Sequence, residues 1–129
     1  MTSVERYEPC TLLRTWGQEI IVASTPTYLG KVLKMKAGTK GGLQFHREKD
    51  ETFHLYEGKA IVRTDIDGKL AEITMAPGQS YHVPPGAVHQ VEAITDCVFF
   101  EASTPHHDDR VRVEERYGLE QDGGLPTTR

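Results

Sequence analysis

The sequence is divided into short segments in which apolar and polar residues alternate, and glycine and proline turns separate these segments. A period of two places successive side chains on opposite faces of an extended strand, so the pattern is typical of an all-β sandwich or barrel. An Asp67-Gly68 pair between two such segments predicts a tight hairpin turn. The predicted strands are 18–24, 29–36, 42–47, 51–57, 59–66, 70–75, 80–83, 87–94 and 97–103.

A chain of 129 residues has room for one domain with a single hydrophobic core. We expect residues 12–104 to form the barrel and residues 1–11 to form an N-terminal segment. Beyond Thr104 the composition becomes polar, and 105–129 is predicted to be a C-terminal segment that is partly mobile. Within it, 108–117 is expected to form a short strand or a helical turn.

Composition and charge exclude several classes of partner. The net charge is −4 and the basic residues are scattered, so no nucleic-acid or anionic-membrane surface is predicted. No apolar run approaches the roughly 18 residues that span a bilayer, and the N-terminus lacks the pattern of a secretion signal. We therefore predict a cytoplasmic protein with small-molecule partners, in which Cys10 and Cys97 are free thiols.

Four side chains form a candidate set of metal ligands. Gln44 and His46 lie two apart on one predicted strand, so they project from the same face, about 7 Å apart. Glu51 begins the next strand, and His89 follows the turn Pro84-Pro85-Gly86. Such a mixed nitrogen and oxygen set suits Zn²⁺, Mn²⁺, Fe²⁺, Co²⁺ or Ni²⁺ without choosing among them. From spacing alone, a His and a Glu near a strand end are more often solvated or hydrogen-bonded than bound to a metal.

The glycines and prolines around these residues carry a family resemblance. The pattern Gly38-x5-Gln44-x-His46-x4-Glu51-x6-Gly58 resembles the first motif of the cupins, with Gln where the family usually has His. The pattern Gly78-x5-Pro84-x-Gly86-x2-His89-x3-Ala93 resembles the second motif, with Ala where Asn is usual. The resemblance implies a cupin-type double-stranded β-helix, or jelly-roll barrel, that holds one divalent metal ion. Its implied ligands are Gln44, His46, Glu51 and His89.

A narrower likeness explains the glutamine. Residues 12–118, including Trp16-Gly17 and Leu43-Gln44-Phe45-His46, are similar to the cupin domain of type II mannose-6-phosphate isomerases. That family also has Leu-Gln-x-His followed by a basic residue and Glu. The likeness implies carbohydrate metabolism, a sugar or sugar-phosphate substrate and a homodimer. Gln90, however, stands where that family has a basic residue, which weakens the prediction of a phosphorylated substrate.

Lys31 and Glu101 are the candidate catalytic residues. Lys31 alternates with Leu33 and Met35, which predicts that it points inward, although a lysine at a strand end can equally extend outward. Glu101 alternates with Phe99, so it either enters the barrel as a base or forms a salt bridge at the barrel end.

Three functions are compatible with this sequence. The first, favoured by the family likeness, is a metal-dependent sugar or sugar-phosphate isomerase that polarises a carbonyl and transfers protons. The second is a non-haem metal dioxygenase or lyase, since His and carboxylate ligands also support O₂ chemistry. The third is a non-catalytic cupin that binds a small molecule.

Overall fold

The computed structural model describes residues 2–128, which form eleven strands and one short 3₁₀ helix, Glu114–Tyr117. In chain order the strands are β1 (Cys10–Arg14), β2 (Gly17–Ser24), β3 (Leu29–Met35), β4 (Gln44–His46), β5 (Glu51–Glu57), β6 (Ala60–Ile66), β7 (Lys69–Met75), β8 (Ser80–Val83), β9 (His89–Ala93), β10 (Cys97–Ser103) and β11 (Arg110–Arg112).

These strands pair antiparallel in two sheets. The six-stranded sheet has the order β1-β2-β3-β10-β5-β8, and the five-stranded sheet has the order β11-β4-β9-β6-β7. The predicted all-β jelly-roll barrel is therefore confirmed, and all nine predicted strands are present with ends within two residues of the prediction. Alternation carried this information because strands such as β5 and β10 bury one face and expose the other.

The sequence analysis missed strand β1. Its segment Cys-Thr-Leu-Leu-Arg does not alternate, and β1 lies at the sheet edge, where it pairs with β2 and most of its side chains are exposed. At the other end, 108–117 contains both expected forms, the strand β11 and the 3₁₀ helix. Strand β1 therefore begins before residue 12, and β11 lies beyond residue 104. The domain boundaries at 12 and 104 stay a prediction.

The space between the sheets is filled by the inward side of each strand. On β5, Phe53 and Leu55 are buried while Thr52 and Tyr56 are exposed. Phe53 and Phe99 of β10 meet edge to face, with ring centroids 6.0 Å apart. Aromatic pairs of this kind add to the free energy of area burial. The apolar core occupies one end of the barrel and leaves the other end for polar groups.

Two turns show why particular glycines are present. Asp67 and Gly68 both have positive φ angles, 53° and 84°, as a two-residue hairpin between β6 and β7 requires. Gly58 has a φ of 101°, and a Cβ atom there would lie 2.3 Å from the Asp96 carbonyl oxygen. A side chain at position 58 would therefore force the loops at the apolar end apart.

Candidate metal centre

Three strand ends meet at the polar end of the barrel. His46 ends β4, Glu51 begins β5, and His89 begins β9 opposite Gln44 in the register of β4 and β9. The turn before His89 is held to β4, because the Gly86 amide donates a hydrogen bond to the His46 carbonyl oxygen over 2.8 Å. Gly86 has a φ of 86°, which favours glycine there. This turn thus brings an imidazole to the other histidine from 43 residues away in sequence.

His46, Glu51 and His89 form a compact buried cluster. Their donor atoms all lie within 4.8 Å of one another, and each residue is at most 8% exposed. The Oε1 atom of Glu51 lies 3.3 Å from Nε2 of His89 and 3.7 Å from Nε2 of His46. Two imidazole nitrogens and one carboxylate oxygen around one point match the ligand types of Zn²⁺, Mn²⁺, Fe²⁺, Co²⁺ or Ni²⁺. This donor set therefore fits a divalent metal ion.

Both imidazoles are oriented by bonds on their far sides. Nδ1 of His46 lies 3.0 Å from Oδ1 of Asp109, and Nδ1 of His89 lies 3.0 Å from the Ala87 carbonyl oxygen. Because each of these oxygens accepts a hydrogen bond from Nδ1, Nε2 is the ring atom that faces Glu51, and it is the atom through which each neutral imidazole would bind a metal. A carboxylate or carbonyl behind a histidine is the usual support of a metal ligand.

Asp109 also orders the loop between His46 and Glu51. Its Oδ2 atom accepts the amide hydrogens of Glu48 and Lys49, at 2.7 and 2.9 Å. One carboxylate thus fixes the ring of one candidate ligand and the loop that leads to another. The sequence analysis did not single out Asp109, since it lies in a polar segment that offers no periodicity.

Lys49 is the second residue that the sequence analysis missed. It belongs to the run of five charged residues 47–51, a composition typical of solvent-exposed turns, yet it is only 5% exposed. Its Nζ atom donates to Oε2 of Glu101 over 3.0 Å and lies 3.1 Å from Oε2 of Glu51. Two features of the sequence pointed to Lys49. The family pattern has a basic residue before the Glu, and a spacing of two places Lys49 and Glu51 on the same side of an extended chain.

The two candidate catalytic residues both point into the cavity. Lys31 and Glu101 are opposite each other in the register of β3 and β10, and both are buried. Nζ of Lys31 lies 4.0 Å from Glu101 and donates to Oε1 of Glu19 over 3.2 Å. Arg14 completes the series by donating to Oε2 of Glu19 over 2.7 Å. A continuous row of alternating charges therefore runs from β1 through Lys49 to Glu51.

Burial and neighbouring charges shift the pKa values of this cluster in different directions. Burial disfavours the charged form of Glu51, but its bond to His89 and the charge of Lys49 hold the pKa of Glu51 well below its ordinary range. Burial, aided by repulsion from Glu51, raises the pKa of Glu101 despite the attraction of Lys49. Burial lowers the pKa of His46. Burial also disfavours the charged form of His89, but the hydrogen bond to Glu51, the charge of Glu51 and the bond to the Ala87 carbonyl oxygen together raise the pKa of His89. The two carboxylates thus differ in how readily they take a proton.

A cavity of about 150 Å³ contains these groups. Gln44 lines it together with the three clustered residues, and its role as a neutral fourth ligand stays a prediction. The Gln90 amide, by contrast, is engaged by protein groups: it donates to the Gly41 carbonyl oxygen over 2.9 Å and accepts a bond from Arg63. Arg63 forms cross-strand ion pairs with Glu72 and Glu92, at 2.7 Å each.

Two facing antiparallel sheets with a His, Glu and His cluster at one end define the cupin class of jelly-roll barrels. The family model described as the Cupin domain, Cupin_2, matches residues 31–100, and the chain belongs to this family. The matched range contains His46, Glu51 and His89. Within residues 2–128, no helix is long and apolar enough to cross a membrane.

Relatives place this domain in several larger proteins. The chain is 24% identical over 116 residues to the mannose-1-phosphate guanylyltransferase RfbM of Salmonella typhimurium, a match over 86% of this chain and 23% of that protein. The capsular polysaccharide assembling protein CapF of Staphylococcus aureus has a similar fold, with a TM-score of 0.74 and 21% identity, over 84% of this chain and 32% of CapF. The chain thus spans about a quarter to a third of these relatives.

A smaller relative matches over most of its own length. KdgF from Halomonas sp. has a TM-score of 0.65 and 20% identity, over 78% of this chain and 90% of that chain. These structural likenesses confirm the fold.

Proposed function

We propose that this protein is a metal-dependent cupin enzyme that interconverts an aldose and a ketose, either free or phosphorylated. The observation that carries the proposal is the position of Glu101, a buried carboxylate in the same cavity as the His46, Glu51 and His89 cluster. Lys31 and Lys49 are buried beside it. A cavity with ligands for a metal and a separate proton-transfer group has the two elements that this isomerisation needs.

His46, Glu51 and His89, with Gln44 as a neutral fourth ligand, would hold the divalent ion. When bound, such an ion polarises a carbonyl oxygen as a Lewis acid. Glu101 then has the role of the base: a carboxylate oxygen takes the proton from the carbon next to the carbonyl and returns it to the neighbouring carbon. A second proton moves from the substrate hydroxyl to the former carbonyl oxygen, and Lys31 orients these oxygens. Substrate and product are isomers, so no oxidant or co-reactant is required.

The relatives support a sugar as the substrate. RfbM is named for the transfer of a guanylyl group to mannose 1-phosphate, and CapF is named for the assembly of a capsular polysaccharide. Both names refer to carbohydrate chemistry. Because the matched region is a small part of each protein, their whole activities are not carried over to this chain.

The test begins with metal analysis of protein purified without added metal, and continues with an NMR screen of aldoses, ketoses and their phosphates. The variants H46A and H89A should lose metal, whereas E101Q should keep the metal and lose turnover. E72Q is the matched control, because Glu72 lies at the outer surface and pairs with Arg63. Absence of turnover across the panel with the metal-loaded protein, or unchanged metal content in H46A and H89A, would contradict the proposal.

We also propose that two copies associate through the outer face of the six-stranded sheet. Leu13, Tyr56 and Phe100 point away from the core on β1, β5 and β10, and they are 79%, 67% and 45% exposed. Large exposed apolar side chains on one face are typical of an interface. Sedimentation equilibrium of the wild type and of F100E should show a dimer that the substitution weakens.

A further inference from the structure

The cavity has an outer chamber that no step of the proposed reaction uses. This chamber has a volume of about 380 Å³ and lies between β1, β2 and the segment 107–128. It shares Arg14, Lys31 and Arg110 with the wall of the inner cavity, so the two spaces adjoin. A ligand with its reacting end beside Glu101 therefore has room to extend into the outer chamber.

We propose that the outer chamber is an oxyanion subsite in which Arg14 and Arg110 bind a carboxylate or phosphate group of the ligand. Assigning that group to the substrate rests on the proposed function, but binding of the anion itself does not. The shared chemistry of the two anions is a cluster of negatively charged oxygens, which guanidinium groups recognise through paired N–H donors.

Both arginines keep donors that no protein group uses. Arg14 donates through Nη2 to Glu19. Nη1 of Arg110 donates to the Pro126 carbonyl oxygen over 3.4 Å and forms an ion pair with Oδ1 of Asp108 at 2.7 Å. Within residues 2–128, Nε and Nη1 of Arg14 and Nε and Nη2 of Arg110 make no hydrogen bond. The side chains are only 21% and 11% exposed, so their contact with bulk water is limited.

The charge of the chamber favours an anion. Three cationic side chains, Arg14, Lys31 and Arg110, face two acidic ones, Glu19 and Asp108, in a chain whose net charge is −4. The chamber is thus locally positive in a negative protein, and low-dielectric walls strengthen the field inside a cleft. His107 also lines it.

Gln90 stands where a basic residue would bind a substrate phosphate, and its amide bonds to Gly41 and Arg63 instead. The outer chamber offers other cationic groups for that role. The two arginines of the outer chamber come instead from β1 and β11, at the outer edges of the two sheets. Glu19 connects the chamber to the inner site, because it accepts bonds from both Arg14 and Lys31.

The experiment is a titration of metal-free, ¹⁵N-labelled protein with inorganic phosphate and, separately, with malonate. The side-chain Nε–H signals of Arg14 and Arg110 are identified from their loss in R14Q and R110Q. We expect at least one anion to shift both signals to saturation in the millimolar range. Each variant should raise the dissociation constant about tenfold, because one charge-assisted hydrogen bond to the anion is lost. R116Q, which removes the same charge from an exposed position, should bind like the wild type.

Saturation by phosphate alone assigns the group to a phosphate, and saturation by malonate alone assigns it to a carboxylate. No shift with either anion up to tens of millimolar overturns the proposal, as does an equal loss of affinity in R116Q. If one arginine variant fails to fold, its Nε–H signal is assigned by through-bond NMR correlation to the backbone of the wild-type protein, and the wild-type titration decides the result. Since the protein is metal-free and no substrate is present, a failed isomerase assay and a failed anion titration are separate outcomes.

Discussion

The buried ammonium group of Lys49 lies 3.1 Å from Oε2 of Glu51, and Oε1 of the same carboxylate faces the two imidazoles. The two oxygens of one glutamate thus have different partners. An ammonium group buried to this extent is stable only because Glu51 and Glu101 both neutralise it. The lysine in turn keeps Glu51 in the orientation that a metal ligand needs.

Replacement of this lysine should therefore strongly destabilise the metal-free protein. We expect K49M to lower the free energy of unfolding by about 3 kcal/mol or more, because two buried carboxylates lose their shared cation. Urea denaturation of the metal-free protein measures this change. K34M is the matched control, since Lys34 is exposed on the opposite face of β3, and its effect should stay within about 0.5 kcal/mol. Equal stability of the two variants would show that Lys49 is not an essential counter-ion.

Asp109 should act on metal affinity without touching the metal. Because its Oδ1 atom orients His46, D109N is expected to weaken Zn²⁺ or Co²⁺ binding by about 10–100-fold. Competition with a chromophoric chelator measures the dissociation constant. D108N, the same change at the neighbouring and more exposed residue, should bind the metal like the wild type. A D109N protein with wild-type affinity would separate Asp109 from the metal centre.

Glu114 is expected to make stability depend on acidic pH. Burial disfavours its charged form, but hydrogen bonds from Arg112 and from the Leu43 amide hold the pKa of Glu114 below its ordinary value of 4.5. The ionised carboxylate therefore stabilises the folded state above about pH 4.5. That contribution is lost as the pH falls through the lower pKa of the folded state.

The substitution E114Q should then cost about 2 kcal/mol of unfolding free energy at pH 7, and the difference from the wild type should shrink below pH 4.5. Urea denaturation at a series of pH values measures both effects. E115Q, at the exposed neighbouring position, should differ little from the wild type at any pH. A constant difference between E114Q and the wild type across the series would be inconsistent with this linkage.

The C-terminal segment should depend on a glycine that contacts the barrel. Gly124 lines the inner cavity, has a φ of 62°, and a Cβ atom there would lie 2.7 Å from the Gly42 nitrogen. G124A should therefore displace the segment and weaken the bond from the Thr128 amide to the Arg110 carbonyl oxygen. We expect that amide to exchange its hydrogen about tenfold faster, equivalent to ~1.4 kcal/mol of local stability.

G118A provides the control for this prediction. Gly118 has a similar φ of 71°, but a Cβ atom there meets nothing within 4 Å. It should introduce backbone strain without moving the C-terminal segment, so the Thr128 amide should exchange as in the wild type. Similar exchange in G124A and G118A would mean that contact with Gly42 does not hold the segment.

Much of the fold followed from local patterns. Strands such as β5 and β10 alternate in sequence because one face of each is buried, and a two-residue period requires no knowledge of the partner strand. Asp67-Gly68 predicted its hairpin because both positions need positive φ angles. β1 was missed for the complementary reason: an exposed edge strand has little to bury, so its sequence shows no alternation.

The sequence by itself determined the all-β architecture and the candidate donors His46, Glu51 and His89, because periodicity and spaced motifs are properties of the chain. Only the tertiary structure decided which charges surround those donors. Asp109 reaches His46 across 63 positions, and Lys49 reaches Glu101 across 52, so neither contact has a local signature. Whether a charged side chain is solvated or buried depends on strands distant in sequence. For that reason the burial of Lys49 could not be predicted from the charged segment around it.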